Sequence, residues 1–354
     1  MGCCEATRPE LSGVISEPGP MPVLDRRAAV KGMLAMSGAL ALGACADRAV
    51  PGTVRLAFCG QLLCVVPYEV TRARGHFADQ GLNVELVYTR GGTAAMQALV
   101  GGAVEYAGTS FDVALQAAAN GAEIRRFAST GRLPLFALAV APGRASEITT
   151  VQALRGSTVG VSGLGNADHA LLLYLLDQAG VDPASVSFAT IGTNLYDAVR
   201  LGQVDAGMLQ EPALSLIVQD GGRELVNFME IEQAYEHLGG PYEFMGVAVR
   251  ADEREQRLPE MRRLAAALER GLEDTRTIPP EEIVAALPET LIAGSDIPQL
   301  LAIIERYRLS LYPESVTIDT AAAERVAQSQ QIADLLAPGQ VELSELLDTD
   351  ALRL

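Results

Sequence analysis

Two stretches of the chain share one order of apolar and polar positions. They are residues 84–110, VELVYTRGGTAAMQALVGGAVEYAGTS, and residues 186–210, VSFATIGTNLYDAVRLGQVDAGMLQ. In each, an apolar run ends at Gly-Thr and a helical pattern of about ten residues follows. A glycine closes that helix, and a short apolar strand then ends at a second glycine. The two copies align Thr93 with Thr193, and this β-α-β order predicts parallel strands joined by a right-handed crossover.

A second pair of segments places one of these units in each of two lobes. Residues 53–61 (TVRLAFCGQ) and 157–165 (STVGVSGLG) both read as a short buried strand followed by a glycine-bearing loop and an apolar helix. Each lobe is therefore predicted to start strand, loop, helix, strand, loop, helix, strand. Ligands of open parallel sheets bind beyond the carboxyl ends of the strands, near helix N-termini. We therefore expect a ligand cleft between the lobes.

Two apolar strands are predicted to carry the chain between the lobes. LPLFALAVAPG (133–143) comes just before the second lobe and YEFMGVAVRADE (242–253) just after it, so both are predicted hinge strands. We expect the first part of lobe I at 53–139, lobe II at 140–243, and a return to lobe I with C-terminal helices at 244–354. The apolar positions of this last part recur at helical spacing, and we expect its helices to pack on lobe I in a structural role.

The N-terminus carries a predicted export signal. An uncharged tract of small and apolar residues from Gly32 to Ala44 follows the basic stretch DRRAAVKG and stops at Cys45. A membrane-spanning helix needs roughly 20 apolar residues, so the tract is too short to span and is typical of a secretory signal. LGAC resembles the lipobox of bacterial lipoproteins, which predicts lipidation of Cys45, and the paired arginines resemble a twin-arginine signal. The alternative is a small-residue helix that happens to contain one cysteine.

The boundaries of this export signal follow from its second methionine. Met21 begins a more ordinary signal peptide, so we expect the signal at 21–44 and an over-long start at 1–20. The exported protein is then expected at the periplasmic face of the membrane, held there by a lipid on Cys45.

Composition narrows the classes of partner. The net charge of −17 disfavours nucleic acid and anionic membrane surfaces as partners. Tryptophan is absent and aromatic residues make up 5% of the chain, which argues against a sugar-stacking site. The histidines, His76, His169 and His237, and the cysteines show no metal-ligand spacing, so we expect no metal and no cofactor.

Four segments in order carry a resemblance to a known family. They are PYEVTRARGHFADQGLNVELV (67–87), GGTAAMQALVGGAVEYAGTS (91–110), LRGSTVGVSGLGNADHALLLYLLDQAGVDPASV (154–186) and GQVDAGMLQEPALSL (202–216). The chain resembles the periplasmic solute-binding proteins of ABC importers, in the branch of sulfonate, taurine, nitrate and thiamine-pyrimidine-precursor binders. The resemblance implies an α/β, two-lobed periplasmic-binding-protein fold of type II. Each lobe would be a mainly parallel sheet flanked by helices, and two hinge strands would join the lobes.

The resemblance also implies a function and its partners. The protein would be the lipid-anchored, extracytoplasmic solute-binding component of an ABC importer, and we expect a monomer. Its ligand would be a small anion or a heteroaromatic, such as a sulfonate, nitrate or a thiamine-pyrimidine-like compound. Its partners would be that small molecule, the permease subunits of the importer, and the membrane through the lipid anchor. The first loop, FCGQLLCVV, departs from the family, which usually has a polar or aromatic ligand contact there.

Candidate ligand contacts lie where strands end and helices begin. Free backbone N–H groups and the helix dipole at these helix N-termini favour an anion or an acceptor-rich ring. An alternative role for Thr93 is N-capping of its helix, and Thr109, Ser110 and Asp112 are expected to cap the next one. The lobe I set is Cys59, Gly60, Gln61, Cys64, Gly91, Gly92, Thr93, Thr109, Ser110 and Asp112.

The lobe II candidates occupy the matching positions of the repeat. His169 can donate a hydrogen bond to a ligand, although a histidine at a helix start is often merely solvated. Glu211 follows the strand of the second repeat and can accept from an amine, since a buried carboxylate needs a donor. The lobe II set is Gly163, Asn166, His169, Thr193 and Glu211.

Two other classes of function, an enzyme and a ligand-free interaction protein, fit the sequence less well. The same family branch includes a pyrimidine synthase that consumes pyridoxal phosphate held on a lysine and a histidine of its own chain. A Schiff base needs a primary amine, and the only lysine, Lys31, lies in the predicted signal peptide. GxSxG, HExxH and Walker motifs are absent from the sequence. We therefore expect no enzyme, and the remaining alternative is a ligand-free interaction lipoprotein.

Overall fold

The strands form two five-stranded sheets among residues 52–352, which the computed structural model describes. The strands are β1 (Thr53–Cys59), β2 (Asn83–Thr89), β3 (Tyr106–Ser110), β4 (Ile124–Gly131), β5 (Ala137–Val140), β6 (Thr158–Val161), β7 (Ser187–Thr190), β8 (Ala206–Leu209), β9 (Arg223–Asn227) and β10 (Met245–Arg250). Cys45 and the rest of the predicted export signal lie outside the described residues.

Helices cover both sheets. They are α1 (Leu62–Ala73), α2 (His76–Asp79), α3 (Gly92–Val100), α4 (Phe111–Ala119), α5 (Ala167–Gln178), α6 (Leu195–Arg200), α7 (Ala213–Gln219), α8 (Ile231–Leu238), α9 (Arg254–Thr277), α10 (Pro280–Ala286), α11 (Glu289–Ile292), α12 (Ile297–Leu311), α13 (Thr320–Ile332) and α14 (Leu343–Leu346). Within the described part of the chain, no helix is both long and apolar enough to cross a membrane.

The two sheets have the same strand order and the same strand directions. The lobe I sheet runs β2-β1-β3-β10-β4 and the lobe II sheet runs β7-β6-β8-β5-β9. In each sheet the first three strands are parallel, and the fourth is antiparallel to both of its neighbours. The predicted α/β fold of two lobes with mainly parallel sheets is therefore confirmed.

Each sheet receives one strand from the passage of the chain between the lobes. β5 follows lobe I along the chain but lies between β8 and β9, and β10 follows lobe II but lies between β3 and β4. Both strands fall in the segments predicted as hinge strands. The rings of Phe136 and Phe244, which precede these two strands, meet edge to face with their centroids 6.0 Å apart. The two crossovers therefore pack against each other.

Glu105 and Asp205, which the repeat aligns, make equivalent hydrogen bonds. Oε2 of Glu105 accepts from the backbone N–H of Arg55 at 2.8 Å, at the start of β1. Oδ2 of Asp205 accepts from the backbone N–H of Thr158 at 2.8 Å, at the start of β6. Each carboxylate extends the ladder between the first and third parallel strands of its lobe by one bond. The sequence repeat is thus also a repeat of structure.

The expectation that the third strand of each lobe ends at a glycine is wrong. Gly108 and Gly207 lie inside β3 and β8. A Cβ at Gly108 would come within 2.4 Å of the Tyr68 hydroxyl oxygen, and a Cβ at Gly207 within 2.7 Å of Cγ2 of Val199. Tyr68 belongs to α1 and Val199 to α6, so a helix side chain packs directly on each strand. These glycines provide space for that packing and do not end the strands.

The helices after β10 contact both lobes. α9 packs against α1, α2 and β4 of lobe I, whereas α13 packs against α4 of lobe I and α5 of lobe II. The ring of Tyr307 in α12 is buried against lobe II, where its hydroxyl accepts a hydrogen bond from Nδ2 of Asn227 at 2.9 Å. The C-terminal helices therefore reach beyond the lobe on which they were expected to pack.

Candidate ligand site

The carboxyl ends of β1, β2 and β3 bring loop residues of lobe I together. The backbone N–H of Gly60 donates to the carbonyl oxygen of Thr89 at 3.1 Å. A Cβ at Gly92 would lie 3.7 Å from Cβ of Thr109 and 3.9 Å from the backbone nitrogen of Ser110. We call this surface the lobe I edge. Its members are Gly60, Thr89, Gly91, Gly92, Thr109 and Ser110.

The helix α3 begins at the lobe I edge without a side-chain cap. Gly91 occupies the N-cap position with φ 165°, and no side chain accepts from the first N–H groups of the helix. Thr93 lies one residue inside the helix and is exposed. The N-capping interpretation of Thr93 is therefore wrong, because the helix starts two residues earlier than capping by Thr93 requires. The open N–H groups and the helix dipole favour a hydrogen-bond acceptor here.

Thr109 contributes a buried hydroxyl without a partner to the lobe I edge. Its side chain is fully buried, and Oγ1 makes no hydrogen bond. Leaving a buried hydroxyl unpaired costs about 1–3 kcal/mol. The neighbouring Ser110 hydroxyl instead caps α4 and accepts from the backbone N–H of Val113 at 3.4 Å. Of the three residues expected to cap α4, only Ser110 does so with its side chain.

Asp112 lies in a buried cluster that joins α4 to the second crossover and to α13. Its Oδ1 accepts from the Tyr242 hydroxyl at 3.0 Å and from Nε2 of Gln330 at 2.7 Å. Its Oδ2 has no partner. Burial raises the pKa of Asp112 from its usual 3.8 to about 6. Asp112 thus connects three segments and does not act as a helix cap.

His169 of lobe II presents one donor. Nδ1 of its ring accepts from the backbone N–H of Gly165 at 3.1 Å, which places the proton of the neutral ring on Nε2. The side chain is 8% exposed, and burial lowers the pKa of the imidazole. The ring packs edge to face on Phe188 with centroids 5.0 Å apart. His169 is therefore a neutral donor held at the start of α5.

The loop before α5 is tightly folded around Ser162. Asn166 occupies the N-cap position, but its Nδ2 donates to Oγ of Ser162 at 3.0 Å and does not cap the helix. A Cβ at Gly163 would lie 2.7 Å from that Nδ2, so a larger residue there would displace the Asn166 amide from Ser162. Asp168, which sequence reasoning missed, accepts from the backbone N–H of Ser162 at 2.5 Å and from its hydroxyl at 2.8 Å. Thr193 lies in the 3-10 turn Gly192–Asn194, and its side chain is outside the described part of the structure.

Glu211 follows β8 and is buried, with both oxygens occupied. Oε1 accepts from the Ser215 hydroxyl at 2.9 Å and from the Tyr307 hydroxyl at 3.1 Å, and Oε2 accepts from the backbone N–H of Ser215 at 3.1 Å. Burial raises the pKa of the carboxyl. We call the loops that hold His169 and Glu211 the lobe II edge.

The C-terminal end of α12 contacts the lobe II edge and the first turn of α1 in lobe I. Tyr307 donates to Glu211 of the lobe II edge, and the Tyr312 hydroxyl donates to the carbonyl oxygen of Leu63 at 2.8 Å, in the first turn of α1. Five helical residues span about 7.5 Å. The segments that carry Cys64 and Glu211, which are distant in sequence, are therefore both hydrogen-bonded to the end of α12.

The cysteines of the first loop are buried free thiols. A hydrogen bond from Cys64 lowers the pKa of the Cys59 thiol, while the same bond together with burial raises the pKa of Cys64. Sγ of Cys64 also lies 4.0 Å from Sδ of Met245. Gln61, between the two cysteines, is exposed at the N-cap position of α1 without a capping bond. The first loop is therefore a sulfur-rich part of lobe I.

Tyr88 is a second residue that sequence reasoning missed. Its ring is 42% exposed, packs on Phe58 with centroids 4.9 Å apart, and lies 3.6 Å from the Cβ position of Gly60. Its hydroxyl donates to the buried carboxylate of Glu69 in α1. The sequence signal for this contact was the acidic Glu69 inside the apolar run LLCVVPYEV, because a buried carboxylate needs a hydrogen-bond donor. Tyr88 adds a fixed aromatic face beside the lobe I edge.

Two lobes of identical topology that exchange one strand each define a periplasmic-binding-protein fold. Comparison with known families and with solved structures gives the same fold. The chain belongs to the NMT1/THI5 like family, whose model matches residues 65–282. A solved structure from Bordetella bronchiseptica RB50 matches with TM-score 0.74 and 23% identity, over 85% of this chain and 96% of that one. The search of curated proteins found no match.

Two solved structures with functional names share the fold. The periplasmic aliphatic sulphonate binding protein SsuA from Escherichia coli matches with TM-score 0.65 and 20% identity, over 84% of this chain and 92% of that one. The periplasmic nitrate-binding protein NrtA from Synechocystis PCC 6803 matches with TM-score 0.68 and 12% identity, over 85% of this chain and 87% of that one.

Proposed function

We propose that this protein is the lipid-anchored, extracytoplasmic solute-binding component of an ABC importer, and that it captures a small anion or heteroaromatic solute between its lobes. The observation that carries the proposal is the buried, unpartnered hydroxyl of Thr109 beside the open N-terminus of α3. Both groups lack a partner within the described chain, and a bound acceptor would complete their hydrogen bonds.

The chemistry of the groups at the two edges supports an acceptor-rich solute. Lobe I offers backbone N–H groups and the hydroxyl of Thr109, and lobe II offers Nε2–H of His169. Glu211, the carboxylate that would attract an amine, already has both oxygens occupied. The N–H groups of α3 and Nε2–H of His169 can only donate, so an anion or a ring with acceptor atoms suits them. The sulphonate and nitrate binders of the same fold are named for anions.

Capture would work by hinge closure about the crossovers at 132–136 and 241–244. The fully buried Arg126 supports this assignment. Its Nη2 donates at 3.0 Å to Oε1 of Glu243 and also at 3.0 Å to the carbonyl oxygen of Phe244. Its Nη1 donates at 3.0 Å to the carbonyl oxygen of Thr109. One side chain thus joins the second crossover to the lobe I edge. A solute that contacts both lobes favours the closed state by its differential affinity, and the closed form would dock on the permease.

Membrane attachment is proposed from the sequence. Cys45 at the end of LGAC would carry the lipid, after export through a signal that resembles the twin-arginine type. Cys45→Ala is expected to release the protein from the membrane fraction and to abolish incorporation of labelled fatty acid. If the variant stays in the membrane fraction and still incorporates fatty acid, the lipid anchor on Cys45 is refuted. The solute-binding proposal does not depend on that result. No catalytic role is proposed.

A thermal-shift screen tests solute binding. The exported chain from residue 46 onward is heated with sulfonates, taurine, nitrate, aromatic acids and thiamine pyrimidines. A ligand at 100 times its dissociation constant stabilises the fold by about 2.7 kcal/mol, so a true ligand raises the melting temperature by a few degrees. A rise with one chemical class supports the proposal. A folded protein whose melting temperature none of these compounds changes would refute the proposed ligand classes.

A further inference from the structure

Three sulfur atoms of the first loop and of β10 form a group that the proposed solute site does not use. Cys59 is the last residue of β1, Cys64 lies in the first turn of α1, and Met245 opens β10. Their exposed fractions are 7%, 3% and 4%. The Cys64 thiol is hydrogen-bonded to Cys59 and also lies 4.0 Å from Sδ of Met245. Cys64 is therefore the middle member of this group, in contact with both of the other sulfur side chains.

The spacing of the Cys64 and Met245 sulfurs suits three-coordinate metal binding. Metal–thiolate bonds are about 2.3 Å long, so a flat, three-coordinate site holds its sulfurs about 4.0 Å apart. The separation of Cys64 Sγ from Met245 Sδ has that value. The fold brings the three side chains together from the end of β1, the first turn of α1 and the start of β10.

The type of ligand selects the type of metal. Thiolate and thioether sulfurs are soft ligands that prefer Cu(I) over hard cations. A structural zinc site takes four ligands, usually cysteine and histidine. Within residues 52–352 no group of three or more His, Cys, Asp or Glu side chains is placed to hold a metal. A site of two cysteines and one methionine therefore fits a soft monovalent ion best.

We propose that Cys59, Cys64 and Met245 form a soft-metal site that binds one Cu(I) ion. As each Cu–S bond to a cysteine forms, the thiol releases its proton to solvent, while the methionine thioether binds without losing one. The ion enters and remains as Cu(I), so no oxidant or reductant is required. The ion would join the start of α1 to the first residue of the returning strand β10, next to the lobe I edge.

The test uses the full chain with Cys3→Ser, Cys4→Ser and Cys45→Ser, which leaves Cys59 and Cys64 as its only thiols. Free thiols are counted first in denaturant, and Cu(I) is then titrated anaerobically against the chromophoric chelator bicinchoninate. The expected result is two free thiols and one Cu(I) held per chain. X-ray absorption of the loaded protein is expected to show sulfur neighbours at about 2.3 Å. Cys64→Ser is expected to abolish retention of the ion.

Met245→Leu keeps the side-chain volume and removes only the thioether, so it remains informative if a cysteine variant fails to fold. Its affinity for Cu(I) is expected to fall at least tenfold with an unchanged melting temperature. The matched control is Met208→Leu, since Met208 is 1% exposed and lies in β8. Its affinity should equal that of the parent chain.

Loss of Cu(I) to the chelator from a chain with two free thiols would overturn the proposal. So would a Cys59–Cys64 disulfide in anaerobically purified protein, nitrogen or oxygen neighbours around the copper, or equal affinities in the two methionine variants.

Discussion

The Tyr307 hydroxyl lies 3.1 Å from Oε1 of Glu211, and this hydrogen bond joins α12 to the loop after β8 in lobe II. Five residues later, Tyr312 donates to the carbonyl oxygen of Leu63 in lobe I at 2.8 Å. One helix end therefore holds the loops of both lobes from which the candidate ligand residues come. Closure of the lobes would have to move these contacts or rotate about them.

Glu211 and Glu105 are expected to differ in their effect on solute binding. Glu211→Ala removes the carboxylate that holds Ser215 and Tyr307 at the lobe II edge, while Glu105→Ala removes a partner of Arg55 near the amino end of β1 in lobe I. Titration calorimetry with the solute found by the screen is expected to show much weaker binding for Glu211→Ala than for Glu105→Ala. The reason is that Glu105 contacts only the amino end of β1. Superimposable titration curves for the two variants would show that Glu211 does not contribute to solute binding.

The buried ion pair between Arg126 and Glu243 is expected to be sensitive to the loss of one partner. The pair spans 3.0 Å, and the side chains are 0% and 2% exposed. Arg126→Met leaves the Glu243 carboxylate buried without its cation, which costs about 3–5 kcal/mol. Urea unfolding at neutral pH measures the change in the free energy of unfolding.

The control for this pair is Arg200→Met, which breaks an exposed pair with Asp197 of 3.1 Å. Surface pairs contribute about 0–1 kcal/mol. Similar losses in the free energy of unfolding for the two methionine variants would show that burial does not increase the contribution of the Arg126 pair.

Asp112→Asn is expected to stabilise the protein at neutral pH. Burial raises the pKa of Asp112 in the folded state from 3.8 to about 6, so between these values the folded state holds a proton that the unfolded state has lost. The free energy of unfolding therefore falls as the pH rises through this window. Asn keeps the acceptor for Tyr242 and Gln330 and carries no charge to bury.

The measurement for this prediction is urea unfolding of both proteins at several pH values between about 4 and 7. The stability advantage of Asp112→Asn is expected to grow with pH, by up to roughly 3 kcal/mol above pH 6. Asp177→Asn, on the exposed end of α5, serves as control. An advantage that stays constant across the pH range would contradict the assignment of this titration to Asp112.

Gly108→Ala is expected to destabilise lobe I by about 1–3 kcal/mol, since overpacking forces side chains or backbone to shift. The first atom that its Cβ would meet is the Tyr68 hydroxyl oxygen, at 2.4 Å. The double variant with Tyr68→Phe removes that atom and should lose less stability than the two single variants together. Gly143→Ala, with nothing within 4 Å of its Cβ, is the control and should change little. Strict additivity of the two losses would contradict the packing explanation.

Much of the fold was predictable because it rests on local patterns. The apolar runs, the glycine-bearing loops and the repeat that aligns Glu105 with Asp205 predicted two parallel β-α-β lobes and the two strands between them. The interior glycines Gly108 and Gly207 were misread, because their purpose depends on Tyr68 and Val199 in packed helices. The sequence of a strand alone does not distinguish a glycine that ends the strand from a glycine that leaves space for a helix side chain.

The side-chain partners at the candidate site were not predictable from the sequence. Asp112 bonds Gln330, 218 positions away, and Glu211 bonds Tyr307, 96 positions away. Local reasoning identified both carboxylates as buried groups that need donors, but it assigned those donors to a ligand or a helix end. The C-terminal helices supply them instead, and their position against both lobes arises only from tertiary packing.

One solute is proposed to be held by both lobes, and titration calorimetry with one variant in each lobe measures the contribution of each. Thr109→Val removes the unpartnered hydroxyl of lobe I, and His169→Leu removes the Nε2–H donor of lobe II. The matched controls are Thr158→Val, at the amino end of β6, and His237→Leu, in α8. We expect at least tenfold weaker binding of the screened solute for both site variants and unchanged binding for both controls. Full affinity in either site variant, with the protein folded, would contradict binding by both lobes.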